Sequence, residues 1–477
     1  MRKKGSVTVF LTLILSLLLS LICASIESVR MASARTQILN GMDIGLYSLF
    51  GQYDKELLAD YDLFALDGSR GGGQLDLAAV CDELEAYMNP VLKQNSQKLT
   101  LCQSGLTGYR LLTDQNGEAF YQQIVGYMQE TLGSQGIQLL LGRMSERQEK
   151  TAQADQSANQ AQSKGSIDRY DSEMNQASEK SQQAAEEAQV VPQAPPAKNP
   201  ITIMKRIMKR GVLELVLPGG NGLSTKAIEK GTLVSGRGLQ QGLEMPDGMT
   251  TENGYTSEVL FQQYLMEHLG SYAEPSSAGL AYQMEYIFGG KDSDEDNLKA
   301  VASKLLFIRE GVNFACLMAD NVKRSEAQAL ATAIASGFLV PPAAVIIEAA
   351  LILCWAFAES VLDVRELFAG GRIPLVKSSG DWQISLGNLP DLMEGLDSMR
   401  RNDEKGMSYK DYLQVLVLTV SKEKKVMRAM DMIENTIREK GRKNFCMDSC
   451  IVALEAFADV KANKKKDFQV IRQYCYE

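Results

Sequence analysis

The chain has 477 residues, of which 45% are hydrophobic and 23% are charged. It is therefore too long for a single compact core and too apolar for wholesale disorder. Acidic residues outnumber basic ones by 59 to 50, for a net charge of -9, which excludes the surplus of Lys and Arg typical of nucleic-acid-binding proteins. The single histidine, His268, excludes most zinc sites and any mechanism that needs two histidines.

The first predicted element is a membrane-spanning helix over residues 6–26. A basic leader, residues 1–5, precedes this segment, which contains no charged residue. About twenty helical residues at 1.5 Å each cover roughly 30 Å, the thickness of the hydrocarbon core of a bilayer. The positive-inside rule then places the leader in the cytoplasm. We expect a single-pass protein of the cell membrane, with everything after Glu27 outside the cell.

Two other interpretations of this segment stay open. A cleaved secretory signal is one, although residues 6–26 exceed the usual apolar run of 7–15 residues and no good Ala-x-Ala site follows. Lipoprotein anchoring at Cys23 is the other, although the bulky Ile22 stands where a small residue is needed. We favour a helix that is retained in the membrane.

The junction between the leader and the apolar helix carries a recognisable pattern. Residues 5–10 (GSVTVF) and 27–30 (ESVR) resemble a type IV prepilin-type leader, in particular that of the TadE/TadG-like pseudopilins of tight-adherence (Tad) pilus systems. The resemblance implies processing between Gly5 and Ser6. Prepilins usually carry a glutamate at the fifth position after the glycine, where this chain has Phe10, so processing and plain anchoring both stay open.

Residues 27–60 are predicted to continue the helix as a stalk. An apolar stripe with heptad-like spacing runs along it and consists of Leu39, Met42, Leu46, Leu49 and Tyr53. The stripe either packs on other pilin-like helices or on the globular part of the same chain, and surface helices usually do the latter. Gly41 and Gly45 indicate a close helix approach, since glycine lowers helix propensity by about 1 kcal/mol.

Residues 61–143 predict a small α+β domain. A helix over 75–88 ends near Pro90, residues 99–112 alternate as strands do, and Asn116-Gly117 marks a turn before a helix over 118–132.

Residues 144–199 are dominated by Gln, Ala, Ser, Glu and Lys. Because few of them can be buried, we expect a flexible, low-complexity linker.

Residues 200–477 predict a larger, mainly helical domain. Residues 201–216 form an amphipathic helix with a basic face, and 330–367 are the most apolar stretch after the anchor. The stretch is a buried helical hairpin or a second membrane span, and Pro341-Pro342 together with Glu348 favours the hairpin. The fold class is therefore α+β and mainly helical.

The end of the chain predicts further elements. Residues 373–376 and 382–386 read as a pair of short strands. Ser408 with Asp411 resembles a capping box at a helix start, and Ser421 precedes a second helix with an apolar face at Val426 and Met430.

Several runs in this region carry a wider resemblance. They are EYIFGGK (285–291), LFIREGVN (306–313), WAFAES (355–360), SYKDYL (408–413) and RAMDMI (428–433). Together with the amino end they resemble a family of uncharacterised membrane-anchored proteins of Gram-positive anaerobes, whose genes often accompany tight-adherence pilus genes. The resemblance implies location and context, and no catalytic residues.

No residue pattern indicates catalysis or a cofactor. The acidic run 292–296 lacks the Gly and Glu that a calcium loop needs, since Asn297 and Ser303 stand there, so we expect it to begin a helix. A disulfide among Cys446, Cys450 and Cys475 stays open. We therefore expect no catalytic, cofactor or metal site, and a protein that is not an enzyme.

The sequence thus predicts a membrane-anchored, extracellular structural or accessory component, a minor pseudopilin-like subunit of a tight-adherence pilus or related secretion apparatus. The expected partners are the lipid bilayer and pilin-like or pilus-assembly proteins, with no nucleic acid. The alternative is a membrane-tethered binding module, an adhesin or a sensor, with no role in a pilus.

Overall fold

The computed structural model describes residues 4–94, 99–164, 199–217, 222–243, 254–337, 343–392, 406–462 and 466–476, and the single residues 170, 172, 175, 176, 179, 245 and 396. The helices in these ranges are α1 (Lys4–Phe50), α2 (Lys55–Tyr61), α3 (Leu77–Lys93), α4 (Asp114–Lys164), α5 (Pro200–Met208), α6 (Val212–Val216), α7 (Tyr255–His268), α8 (Gln283–Gly289), α9 (Asp294–Ala319), α10 (Asn321–Gly337), α11 (Ala344–Phe368), α12 (Tyr409–Leu418) and α13 (Lys422–Glu439).

The strands are β1 (Leu66–Asp67), β2 (Leu99–Leu111), β3 (Arg372–Ile373), β4 (Met407–Ser408), β5 (Cys450–Ala462) and β6 (Lys466–Cys475). Helix predominates, which confirms the expected mainly helical α+β class. The chain divides into two compact units, each built from segments distant in sequence. The first comprises residues 1–127, 231–252 and 437–477, and the second comprises residues 128–230 and 253–436.

The first unit is an antiparallel sheet with a long helix packed on it. Strand β5 pairs along one edge with β2 and along the other with β6 and β1. The second half of α1 lies against α3 and the sheet, and their apolar side chains form one core. The first unit differs from the predicted domain over 61–143 because β5 pairs with β2, about 350 residues earlier in the chain. The end of the chain therefore belongs to the first unit and not to the predicted domain over 200–477.

The second unit is helical and is built around α11. Helices α9 and α10 pack on α11, which is buried over 83% of its most apolar window. Helix α11 is therefore buried as the sequence favoured, whereas α10 packs on it through Ala327, Ala331 and Ile334 and is otherwise largely exposed. Pro341-Pro342 lies outside the described residues. Strand β3 pairs with β4, so the predicted pairing of 373–376 with 382–386 is wrong. Residues 386–391 instead form a 3-10 helix.

The prediction of a flexible linker over 144–199 is wrong for residues 144–164, which are helical. Helix α4 continues to Lys164, and its residues Met144, Thr151, Ala154 and Ala158 are buried. A Cβ atom at Gly311 of α9 would stand 2.1 Å from Cα of Ala158, so small side chains allow the two helices to touch. Most of residues 165–198 lie outside the described residues.

Several predicted helix boundaries are confirmed. Ser408 Oγ accepts a hydrogen bond from the backbone NH of Asp411, and Asp411 accepts one from the NH of Ser408, which completes a capping box at α12. The acidic run begins α9, with Ser293 as N-cap. Helix α3 extends to Lys93 with Pro90 inside it, beyond the predicted end at residue 88, whereas the amphipathic helix over 201–216 is divided into α5 and α6.

Candidate functional site

The first candidate for a functional role is the amino-terminal half of α1. The segment Val7–Phe50 is long and apolar enough to cross a membrane, and its most apolar window has no buried residue. A signal sequence near an amino terminus has the same properties. The large apolar side chains from Val7 to Val29 are exposed, Phe10 for example at 64%, so this surface needs an apolar environment that the described chain does not supply.

The predicted processing site lies in the first turn of this helix. The backbone is helical from Lys4 onward and includes Gly5 and Ser6, while the side chain of Ser6 lies outside the described residues. Helix α1 continues to Phe50, ten residues short of the predicted stalk end at residue 60. Residues 51–54 separate it from α2, and therefore the predicted stalk is two helices.

The apolar stripe of the stalk faces the core of its own unit. Met42, Leu46 and Leu49 are fully buried, and Leu39 and Tyr53 are partly buried. Helix α3 and the sheet cover this face, which corresponds to the second of the two interpretations that the sequence left open. The stripe is therefore occupied by the chain itself and is not free for a partner helix.

Helix α1 also carries a row of small or short polar residues at every fourth position, and this row winds around the helix because each step of four residues turns it by about 40° beyond one full turn. All of them are exposed, and they are Thr8, Thr12, Ser16, Ser20, Ala24, Ser28, Ala32, Thr36 and Asn40; we call them the small-residue row. Thr12 Oγ1 donates to the carbonyl of Val9 at 2.9 Å and Thr36 Oγ1 to that of Ala32 at 3.0 Å. Such rows let helix backbones approach closely within a membrane.

The second unit contains a groove beside α4, which we call the α4 groove. It consists of two neighbouring cavities of about 530 Å³ and about 350 Å³ that share Arg143 and Arg147. The first cavity is lined by Arg143, Glu146, Arg147, Lys150, Pro374, Leu375, Val376, Gly406 and Met407. The second is lined by Leu140, Arg143, Arg147, Gln263, Met266, Lys410, Asp411 and Gln414.

A buried cluster of charged side chains lies behind the floor of the groove. Arg309 donates to Asp363 at 2.8 Å, and Lys377 contacts both Asp363 and Glu359 at 2.6 Å and 2.5 Å. All four side chains are at most 2% exposed. The positive and negative charges balance, as buried ionic groups require.

This charge cluster positions the groove. Arg309 Nη1 also donates to the carbonyls of Pro374 and Leu375 at 3.0 Å and 2.8 Å, and both residues line the floor. At Gly406, with φ of +121°, a Cβ atom would meet the backbone of Ile373 and Pro374 at 2.4–2.6 Å, so only glycine fits there. The floor is therefore held from two sides.

Two further carboxyl groups of the second unit have raised pKa values, those of the buried Glu285 and the partly buried Glu310. Burial raises the pKa of Glu285 to about 7, even though Tyr409 and the backbone NH of Tyr272 donate to its Oε1 atom. Burial also raises the pKa of Glu310 to about 7. Asp363 differs: burial opposes its charge, yet Arg309 and Lys377 hold its pKa below its ordinary value.

The remaining residues singled out from the sequence have structural contacts. His268 stacks on Tyr264 with ring centroids 4.0 Å apart. Asp294, from the acidic run, accepts from the backbone of Ala281 and Tyr282, and no group of three metal-binding side chains occurs in the described part of the chain. No disulfide joins Cys446, Cys450 and Cys475 in the described chain, and Arg438 Nη2 donates to Cys446 Sγ at 3.3 Å.

The sequence alone missed the α4 groove and the charge cluster. The sequence contains one indication of the charge cluster, which is the presence of Glu348 and Glu359 inside the apolar stretch 330–367. Charged residues at these positions argue against a membrane span. Asp363 and Lys377 lie 54 and 68 positions beyond Arg309 in the chain, and no spacing rule joins such residues before the helices pack.

A comparison with protein families found one match. The model of DUF5702, described as a family of unknown function, matches residues 192–462, which is more than half of the chain. The chain belongs to this family. A comparison with curated proteins found no match, and neither did a comparison with solved structures.

The DUF5702 match includes Arg309, Glu359, Asp363 and Lys377, and it ends at the last residue of β5. Helix α1 and the α4 wall of the groove precede it. Membership of this family accords with the expected resemblance to an uncharacterised family. The association with tight-adherence pili does not follow from it.

Proposed function

We propose that this protein is a membrane-anchored, extracytoplasmic structural or accessory component, pseudopilin-like, of a tight-adherence pilus or a related secretion apparatus. The observation that carries the proposal is the division of α1 into two halves. Residues 7–29 expose apolar side chains on all sides, whereas Ile38, Met42 and Leu46 are buried in the core of the first unit. One unbroken helix thus joins an apolar segment of membrane length to a folded domain.

The helix carries a surface suited to other helices. The apolar stripe is covered by α3, but the small-residue row stays exposed from Thr8 to Asn40. Because lipid tails are as apolar as the side chains themselves, apolar side chains alone do not drive helices together in a membrane. Close packing of the backbones at small residues does drive helix association. The proposed partners are therefore pilin-like helices that contact α1 along this row, and the lipid bilayer contacts the rest of residues 7–29.

The leader supports the pilus context through its resemblance to prepilins. The positive-inside rule supports a cytoplasmic amino end, with the two units outside the membrane. Packing between helices needs no titrating group, which fits our proposal that the protein is not an enzyme. Mass spectrometry of the mature amino terminus tests the leader: a first residue of Ser6 supports prepilin-type processing, Met1 supports plain anchoring, and a start near Ile26 contradicts a retained anchor.

Crosslinking from α1 tests the proposed partners directly. Ser33 is exposed and the adjacent Ala34 is buried, so Ser33→Cys and Ala34→Cys, each in a background without the native cysteines, form a matched pair. We expect Ser33→Cys to capture pilin-like proteins in whole cells and Ala34→Cys to capture none. Capture by neither variant contradicts the assembly role.

A membrane-tethered binding module is the second candidate function. The observation that favours it is the α4 groove, which has the volume of a ligand pocket and lies in the part of the chain that does not contain the anchor. The crosslinking experiment separates the two functions, since a tethered binding module needs no pilin-like partner along α1.

A further inference from the structure

The α4 groove has the opposite charge to the chain as a whole. The chain carries a net charge of -9, whereas the groove is lined by four cationic side chains and two carboxylates. The cations are Arg143, Arg147, Lys150 and Lys410, and the carboxylates are Glu146 and Asp411. A local reversal of sign favours an acidic ligand and steers it to this surface.

Two of the four cations are available to such a ligand. Arg143 is exposed and makes no ion pair or hydrogen bond with any residue that the structure describes. Lys150 contacts Glu146 in a pair whose side chains are 53% and 67% exposed, and such a pair contributes little and exchanges readily. Arg143 and Lys150 are seven residues apart on α4, which places them roughly 10 Å apart along the helix.

The other two cations, Arg147 and Lys410, are already paired with residues of the protein. Arg147 contacts Asp411 at 2.8 Å and donates to Gln414 Oε1 at 3.2 Å, so it ties α4 to α12. Lys410 pairs with Glu274. Between the two available cations the floor is apolar, with Leu375 buried and Val376 exposed at 68%. The ligand must therefore combine separated negative charges with apolar groups.

These features favour a ligand larger than a single ion. A single phosphate would occupy only part of the groove, whereas Arg143 and Lys150 lie about two helical turns apart beside an apolar floor. A single-stranded nucleic acid is typically bound by stacking on aromatic side chains, and the described residues that line the two cavities include no aromatic ring. An extended peptide places carboxylates on one side about 6.6 Å apart at every second residue and about 13 Å apart at every fourth residue, and the long, flexible side chains of Arg143 and Lys150 can reach carboxylates at these spacings.

We propose that the α4 groove binds a short acidic peptide segment of a partner protein in an extended conformation. Its carboxylates contact Arg143 and Lys150, and its apolar side chains lie on Leu375, Val376 and Met407. The charge cluster behind the floor keeps this surface in place through Arg309. The inference does not depend on the pilus assignment, because it concerns the second unit alone.

Fluorescence anisotropy with the full-length protein in detergent tests this inference. The probe is a labelled twelve-residue peptide in which Glu and Val alternate, and the control probe replaces every Glu by Gln. The test variant is Arg143→Glu/Lys150→Glu. The matched control is Lys209→Glu/Lys299→Glu, which makes the same change of charge at two exposed positions of the same unit. Fluorescence of Trp355 and Trp382 confirms that each variant is folded.

We expect the acidic peptide to bind the native protein and the control variant equally, and to bind the test variant at least about tenfold more weakly, which is ~1.4 kcal/mol. The Gln peptide should bind the native protein at least about tenfold more weakly as well. An equal loss in the two variants shows attraction by net charge alone and overturns the inference. Equal binding of the two peptides, or of heparin in place of the peptide, also overturns it.

Discussion

Gly45 of α1 lies so close to Met88 of α3 that a Cβ atom at residue 45 would stand 2.6 Å from Cγ of Met88 and 3.1 Å from Cδ1 of Leu84. This contact fixes the buried half of α1 on the first unit. A glycine costs helix propensity, so its presence in a 47-residue helix is explained by the approach of α3. The apolar amino-terminal half of α1 therefore continues from a helix that is packed on the first unit.

The first prediction concerns this contact. Gly45→Val forces a branched side chain against Met88 and Leu84, and overpacking of this kind costs about 1–3 kcal/mol. Gly126→Val is the control, because a Cβ atom at Gly126 of α4 meets nothing within 4 Å. Urea unfolding in detergent, followed by circular dichroism, should show a loss of stability for Gly45→Val only. An equal loss in both variants would show that the contact is not tight.

The second prediction concerns the charge cluster. Asp363→Leu leaves Arg309 and Lys377 facing Glu359 alone, and breaking a buried pair costs about 3–5 kcal/mol. Trp355 and Trp382 are the two tryptophans of the chain and both lie in the second unit, so their fluorescence follows its unfolding. We expect a much lower midpoint in urea for this variant.

A double variant checks the cause of that loss. Arg309→Leu/Asp363→Leu removes one charge of each sign and leaves Lys377 paired with Glu359 at 2.5 Å. Part of the stability should return, because no uncompensated charge remains buried. The single variant Arg309→Leu is measured as well. If the double variant loses as much stability as Arg309→Leu and Asp363→Leu lose together, the cluster does not act as one charge-balanced group.

The third prediction concerns pH. The pKa of Glu285 is raised from 4.5 to about 7 in the folded protein, so the folded state binds more protons than the unfolded state between these values. The contribution of Glu285 to the free energy of unfolding is therefore fully present below about pH 4.5 and is lost as the pH rises through 7. The shift corresponds to ~3 kcal/mol, and Glu310 acts in the same direction.

Glu285→Gln tests this directly. The amide oxygen of the introduced glutamine can still accept from Tyr409 and from the NH of Tyr272, while no proton is lost at any pH. The slope of stability against pH between 5 and 8 should therefore become shallower. Glu423→Gln, at an exposed position, serves as the control, and an unchanged slope in Glu285→Gln would refute the assignment.

The fourth prediction concerns the small-residue row. Ser20 lies on the row and Ser25 lies off it, and both are exposed on α1. Ser20→Leu should weaken helix association in a membrane reporter assay by about fivefold, because the backbones can no longer approach closely. Ser25→Leu should leave association unchanged. Equal effects of the two substitutions would mean that the row is not the contact face.

The sequence predicted the elements whose signals are local. The capping box of Ser408 and Asp411, the helix start at Ser293 and the buried helix around Glu348 all depend on residues within a few turns. Strand β5 was missed because Ala453, Ala456 and Ala458 favour helix and their burial depends on β2, which lies about 350 positions earlier. The helical end of α4 was missed because its buried residues are small.

The α4 groove could not be predicted for the same reason. Arg143, Leu375 and Lys410 come from three distant segments that meet only after folding. Arg309 and Asp363 give no local pattern either, since each is one charge within an apolar helix face. The apolar segment at the amino end, in contrast, is one continuous stretch, and its length and composition are enough to find it.

The most direct test of the proposed function is labelling of exposed thiols on intact cells with a membrane-impermeant maleimide, followed by an alkaline wash of the membranes. Cys102 and Cys475 are exposed in the first unit. We expect both to be labelled before lysis, and the labelled protein to remain in the washed membranes until detergent is added. Labelling only after lysis, or release of the protein into the wash, would contradict a retained anchor with its domains outside the cell.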